Sequence, residues 1–526
     1  MTVIRSPHSF RPLSRRRFLA LTAAAATTAV LTVRPGLDTF PVAAADTPMT
    51  RAPDASDAFR AVAMVMAQAL PKLGIPGAAL GIVKDGKVET AFFGSRDVLS
   101  QQPVTADTLF QAGSITKTHT ATALMHLVEQ GQVDLDAPVR TYLPTLKLMN
   151  EPAAAGVTTK TLLTHTGDWW GDSITDTGDG DDAIARFVTE KLPTFPQLAP
   201  LGSLFSYNNT GFVLIGRMLE MLTGQPYRAA VQSLVLDPLG LTGSLFASDA
   251  VIARPHALAH RADRTGTNLA GAFFLPRNLE PAGGLFTTLG DLLTYVQFHL
   301  GDGTANGVPV LQRATLDRMQ TPTGVRLTTL ADQEVALPWL TIPSSKGLIL
   351  DHPGDTFGQH AELIFLPDQQ FALAILTNAN TGVALPGVVL VEAGKQYLGT
   401  NTGGAAMSTG ATTGGGMTAA SMSGLKAVQL PPEKQAEYVG EYRTPSRVFT
   451  VRQTGKALIF AAGPGEVSDQ VAIATIADQM MAEASLDFLK EDIGIVANAL
   501  AIEFLRRPDG SVGYMRIAER LFPKMS

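Results

Sequence analysis

Hydrophobic and polar positions divide this chain into a strand-bearing frame around a helix-rich middle. Residues 57–72 carry apolar positions three and four apart, which predicts an amphipathic helix. "PGAALGIVKDGKVETAFFGS" then places two apolar runs on either side of Lys84-Asp85-Gly86-Lys87. An Asp-Gly between two β-rich runs predicts a hairpin. Far downstream, "HAELIFLPDQQFALAILTN" repeats that layout with Pro367-Asp368 at the turn. Strands therefore lie at both ends of a long region whose middle reads as helix and loop. An α+β fold accounts for this: one antiparallel sheet built from the two ends, flanked by helices, with a mainly helical insertion.

The pattern breaks at 400–424. "TNTGGAAMSTGATTGGGMTAASMSG" has no charge and no periodicity, and it reads as a flexible linker. Beyond it, "LPPEKQAEYVGEYRTPSRVFTVRQTGKALIFAAG" restarts with short alternating runs and turn residues, which predicts a small β-barrel or sandwich. The chain is 526 residues long, so more than one domain is expected. The division is an export signal over 1–45, a main domain over 46–400, a linker over 401–424 and a β domain over 425–526.

Composition narrows the chemistry. Apolar residues make up 45% and charged residues 17%, enough for a large core. A formal net charge of −6 argues against nucleic acid as the main partner. The absence of cysteine excludes disulfides, thiolate metal sites and a cysteine nucleophile. The N-terminus has three parts: Arg15, Arg16 and Arg17, an Ala- and Thr-rich apolar run to Val33, and Ala43-Ala44-Ala45 as a cleavage site. "SRRRFL" resembles a twin-arginine signal, which implies an exported protein, periplasmic or extracellular. The apolar run of about 15 residues is shorter than the roughly 20 that a spanning helix needs. No second segment predicts a transmembrane helix in the mature chain.

The candidate chemistry sits in "FQAGSITKTHTA". Ser114 follows Gly113 at the start of a predicted helix whose stripe is Ala121, Leu124, Leu127 and Val128. A serine there can simply cap the helix. A nucleophile is also served there, because exposed N–H groups and the positive dipole end favour a developing anion. Lys117, three residues on, shares the helix face with Ser114. A desolvated lysine loses its proton more readily and can take the serine proton.

Further stretches accompany this pair in order: "TLLTHTGDWWGD", "PLGSLFSYNNTGFVLIGRMLE", "PAGGLFTTLGDLLTYVQFHL" and "DHPGDTFGQHAELIFLPDQQFALAILTN". Together they resemble the serine β-lactamase/penicillin-binding-protein superfamily over about 57–397, nearest its class C β-lactamase-like and esterase branch. Ser114-Ile115-Thr116-Lys117 matches Ser-x-x-Lys, Tyr207-Asn208-Asn209 matches Tyr-x-Asn, and His352-Pro353-Gly354 matches the Lys/His-x-Gly strand motif. The resemblance implies an acyl-enzyme on Ser114, with Lys117 and Tyr207 sharing proton transfer. It implies that Asn209 positions Lys117 and contacts substrate. The oxyanion hole would be the N–H of Ser114 with that of Asp355, beyond Gly354. His352 would occupy the position that is cationic in relatives. His165, in "LLTHTG", matches a motif used mainly for structure. No metal or organic cofactor is implied.

Two departures bear on substrate. Pro353 brings neither a hydroxyl nor an N–H donor, and His352 is only partly charged near neutral pH. Esters or D-amino-acid-containing amides therefore rank above β-lactams or D-Ala-D-Ala peptides as the small-molecule or peptide substrate. A penicillin-binding or scaffolding relative without turnover is the reading outside enzymes. Trp169 and Trp170 line the cleft or pack the helical region. Asp172, Asp176, Asp179, Asp181 and Asp182 read as a solvated loop, since their spacing does not match an EF-hand. Tyr438, Gly440 and Tyr442 resemble the start of a lipocalin-like domain, which in relatives caps a cleft or aids oligomerisation.

Overall fold

A computed structural model describes residues 49–51, 55–400 except 264, 272, 306, 330 and 331, and 427–525 except 467–482 and 497–499. The expected export signal and linker lie outside the described residues.

Strands β1 (Gly77–Lys84), β2 (Lys87–Gly94), β3 (Leu340–Ser344), β4 (Gly347–Asp355), β5 (His360–Leu366) and β6 (Phe371–Thr377) form an antiparallel sheet. Their order is β2-β1-β6-β5-β4-β3, with short strands at both edges bringing the described sheet to nine. The two ends of the region meet where β1 pairs with β6, from Ala78 opposite Thr377 to Lys84 opposite Phe371. Asp85 (φ 50°) and Gly86 (φ 79°) close the first hairpin, the left-handed pair that an Asp-Gly turn supplies. The short edge strands Val325–Arg326 and Glu334–Val335 were not visible in the apolar pattern, being only two residues each.

Helices α1 (Asp57–Ala69) and α5 (Leu385–Leu398) cover one face of the sheet and α4 (Leu289–Leu300) the other, while α2 (Thr116–Glu129) and α3 (Asn209–Thr223) lie in the helical insertion. Successive strand residues point to opposite faces. Ala78, Leu80 and Ile82 accordingly pack with Phe59, Val62 and Met66 of α1 and Val389 and Leu390 of α5. Ala79 and Val83 enter the other core, with Leu292 and Leu293 of α4 and most of the helical insertion. Helix α1 begins as its sequence dictates, with the Ser56 side chain accepting the Phe59 N–H.

Helix α2 differs from its expected one-sided stripe: residues 116–125 are buried all round. Its threonines make this tolerable, because buried hydroxyls need partners. Thr118 and Thr122 donate back to the Ile115 and Thr118 carbonyls at 2.8 and 2.9 Å. Thr120 and Thr122 also meet the hydroxyls of Tyr227 and Tyr295 at 2.8 and 2.9 Å.

The C-terminal region is an eight-stranded antiparallel meander: β7 (Gly440–Arg443), β8 (Arg447–Thr454), β9 (Ala457–Pro464), β10 (Ala484–Lys490), β11 (Ile493–Val496), β12 (Leu500–Arg506), β13 (Val512–Ile517) and β14 (Arg520–Pro523). Its ends approach one another, with Tyr442 bridging to Lys524 and the Met525 N–H donating to the Glu441 carbonyl at 2.8 Å. The result is a nearly closed barrel around Tyr438, Tyr442, Phe449, Phe488, Phe504 and Phe522. Leu505 and Leu521 pack against Ala199 of the helical region. Arg516 donates to the Leu327 carbonyl at 2.6 Å, and Glu503 accepts the Thr329 N–H at 2.6 Å. No helix among the described residues is long and apolar enough to cross a membrane.

Candidate active site

Ser114 lies in a single 3-10 turn, Gly113–Ile115, that runs into α2. Its side chain does not cap the helix. Instead Ser114 Oγ accepts a hydrogen bond from Lys117 Nζ at 3.0 Å. The helical i,i+3 spacing makes this contact, and the Ala282 carbonyl fixes the amine by accepting a second bond at 2.6 Å. Lys117 is wholly buried. Burial holds its amine well below the ordinary lysine range; the Arg520 cation pushes the same way, and Asp172 and Glu519 oppose it.

Tyr207 enters from the loop before α3, whose N-cap is Asn208 through a 2.8 Å bond from the Gly211 N–H. The Tyr207 ring lies 4.9 Å from Lys117 Nζ. It stacks on His165 at 4.3 Å, and His165 Nδ1 accepts the Asn208 N–H at 2.9 Å. His165 thus braces the tyrosine, in keeping with its structural reading. Burial raises the Tyr207 phenol, against its hydrogen bond with Ser114 and the nearby Arg520 charge. The hydroxyl therefore keeps its proton. Asn209 does not bond Lys117: its amide donates to Asp172 Oδ1 at 3.1 Å.

The β4 strand brings the third motif. Its pairing with β3 ends at Asp351, so His352–Asp355 are hydrogen-bonded to β5 on one side only. Gly354 and Asp355 abut the Gly113–Ser114 turn. A methyl group on Gly354 would lie 2.0 Å from the Ala112 carbonyl oxygen and 3.1 Å from Ser114 N. One on Gly113, itself at φ 51°, would lie 2.8 Å from Asp355 N. Glycine at both positions lets the backbone N–H groups of Ser114 and Asp355 come together beside the serine. The Asp355 side chain is engaged elsewhere, 2.8 Å from His360 Nδ1.

His352 is buried, and burial together with the Lys117 charge pushes it down to about 3. Its Nδ1 lies 2.9 Å from the Pro353 carbonyl and its Nε2 has no partner among the described residues. A neutral imidazole so placed brings no cation to the strand.

A second cation over Tyr207 comes from the barrel, and the motifs did not point to it. The Arg520 guanidinium lies 4.7 Å from the centre of the Tyr207 ring. Its Nε donates to Asp172 Oδ2 at 3.2 Å. Asp172 is therefore not part of a solvated loop; its side chain is 15% exposed and joins Arg520 to Asn209. Asp176, Asp179, Asp181 and Asp182 are exposed as expected, and Asp181 and Asp182 pair with Arg277 and Arg186. Among the described residues no cluster of three or more acidic, histidine or cysteine side chains could hold a metal. Trp169 and Trp170 are packing residues: both are buried in the helical core, with Trp169 Nε1 donating to Thr210 at 2.9 Å and Trp170 edge-on to Phe195.

A family model described as Beta-lactamase matches residues 60–388. Penicillin-binding protein 4 of Amycolatopsis lactamdurans is 33% identical over 321 residues, which cover 59% of this chain and 82% of its own. Esterase EstB of Burkholderia gladioli is 33% identical over 210 residues, 37% of this chain and 53% of its own. The crystal structure of SurE superposes with a TM-score of 0.66 at 23% identity, covering 89% of this chain and 99% of that one. At that identity the likeness to SurE is one of fold.

Proposed function

The chain belongs to the beta-lactamase family, and we propose that it is a serine hydrolase working through an acyl-enzyme on Ser114. The observation that carries this reading is the buried Lys117 amine held 3.0 Å from Ser114 Oγ. Lys117, with its lowered affinity for protons, takes the Ser114 proton as Oγ attacks the substrate carbonyl carbon. The N–H groups of Ser114 and Asp355 receive the oxygen as it becomes negative. Tyr207, which holds its proton, passes it to the departing alcohol or amine as the carbonyl–heteroatom bond breaks, and is reprotonated from Lys117. Water then attacks the acyl-serine by the reverse relay and releases the acid.

The neutral His352 and Pro353 offer a β-lactam or D-Ala-D-Ala carboxylate neither a strand cation nor a hydroxyl. Esters and D-amino-acid-containing amides are therefore the preferred substrates. Export by a twin-arginine route, with cleavage near Ala43–Ala45, belongs to the same reading. The test incubates the protein and its Ser114→Ala variant with a p-nitrophenyl ester, a chromogenic cephalosporin and a D-Ala-D-Ala peptide. Product and intact mass are followed. Turnover and an acyl adduct in the parent alone support the reading; equal rates in both proteins reject it. Cephalosporin turnover well above ester turnover reverses the substrate order, and a stable adduct without turnover indicates a binding protein.

A further inference from the structure

We propose that Arg520, carried by the barrel, is a positioning residue that clamps Tyr207 and Asn209 against the Ser114–Lys117 pair, so that the β domain completes the active site. The proposal rests on the acyl-enzyme reading. The β13–β14 turn contacts the Tyr-x-Asn segment at successive points. The Glu519 carbonyl accepts the Tyr207 N–H at 2.8 Å, and the Leu521 N–H donates to Ser206 Oγ at 3.3 Å. Between them the Arg520 guanidinium covers the Tyr207 ring and, through Asp172, reaches the Asn209 amide. Both motif side chains are thus held from the barrel side.

The turn itself is costly. Ile517 pairs with Arg520, leaving Ala518 (φ 45°) and Glu519 (φ 66°) as the two central residues of a tight hairpin. Both are left-handed without being glycine or asparagine, the residues that such turns favour. Backbone of this kind persists where surrounding contacts hold it, and it concentrates at functional sites. Here the holding contacts are those to Ser206 and Tyr207. Arg520 is also not an open receptor: its side chain is 12% exposed and its charge is met by Asp172. Its action is on the protein's own side chains.

The arrangement makes a prediction of opposite signs. Lys117 is faced by Tyr207 and His165 from the helical region, His352 from β4, Asp172 from its loop, and Glu519 and Arg520 from the barrel. Both histidines are held neutral by burial. The Arg520 cation disfavours protonation of Lys117, whereas Asp172 and Glu519 favour it. Removing Arg520 therefore lets Lys117 keep its proton to higher pH, and removing the Asp172 charge does the reverse.

The experiment uses the full chain with Arg520→Ala, Arg520→Lys, Asp172→Asn and, as control, Ser114→Ala. It measures kcat/KM for a p-nitrophenyl ester across pH, with thermal unfolding to verify folding. Arg520→Ala should lose about tenfold or more, as misplaced catalytic groups do, and its acid limb should move to higher pH. Asp172→Asn should move that limb to lower pH, and Arg520→Lys should leave it near the parent position. A folded Arg520→Ala with the parent's rate and limb overturns the proposal. Lost rate with an unmoved limb in Arg520→Ala and Asp172→Asn overturns it too, because packing alone explains that result. If Arg520→Ala does not fold, the Asp172→Asn limb decides in the same way. Ester turnover undiminished in Ser114→Ala would instead reject the acyl-enzyme reading.

Discussion

Lys117 Nζ sits 3.0 Å from Ser114 Oγ and 2.6 Å from the Ala282 carbonyl, with burial as the largest influence on its charge. An amine in that setting is a base only while it is neutral. The rate of Ser114 acylation should accordingly rise with pH through a pKa well below the 10.5 of an ordinary lysine. Lys117→Arg stays protonated throughout and should lower the acylation rate by about 10²–10⁴, the range for general-base loss. Rapid-quench intact-mass measurements of acyl-enzyme formation check both statements.

Gly354 of β4 packs closely against the Gly113–Ser114 turn. Its Cα has no room for a methyl, which would meet the Ala112 carbonyl oxygen at 2.0 Å. Gly354→Ala must push Asp355 N away from Ser114. We expect at least tenfold loss of kcat and destabilisation of about 1–3 kcal/mol, the usual cost of overpacking. Gly86→Ala is the comparison. It faces open space at φ 79°, so it should cost about 1 kcal/mol through the turn alone and leave kcat unchanged. Urea unfolding and steady-state rates on both variants separate the two effects.

Asp168 sets a pH dependence of stability. It is buried, one carboxylate oxygen accepts the Ser203 N–H at 3.0 Å, and the other has no partner among the described residues. Burial raises it from 3.8 to about 8. Between those values the folded chain holds a proton that the unfolded chain has released. This contribution to stability is fully present below pH 3.8, is lost as pH rises, and levels off above about 8. Its slope is at most about 1.4 kcal/mol per pH unit. Asp168→Asn holds no such proton and should show a shallower fall in unfolding free energy from pH 5 to 8, measured by urea titration.

Much of the frame was legible because local chemistry and tertiary position agree there. Asp85-Gly86 makes the turn its residues favour, and the apolar runs beside it fill both cores. Ser114, Lys117, Tyr207 and Gly354 were legible as motifs, and the fold gathers them around one point. Asn209 was expected to position Lys117, whereas its amide donates to Asp172. Asp172 looked solvated because four nearby aspartates are. Its contacts with Arg520 and Asn209 distinguish it. Arg520 could not be read at all. It lies 520 − 207 = 313 residues from the ring it covers, and its turn carries Ala518 and Glu519 where glycine would have drawn the eye.

The distance along the chain between Arg520 and the residues it touches also orders events during synthesis. Residues to Thr377 suffice for the six central strands of the first sheet, and Arg520 is made 520 − 377 = 143 residues later. A growing chain therefore possesses its serine and lysine well before the barrel can seal the tyrosine. If Arg520 positions Tyr207 as proposed, hydrolytic competence waits for the β13–β14 turn, and a nascent chain that has yet to reach Arg520 holds Ser114 and Lys117 without it.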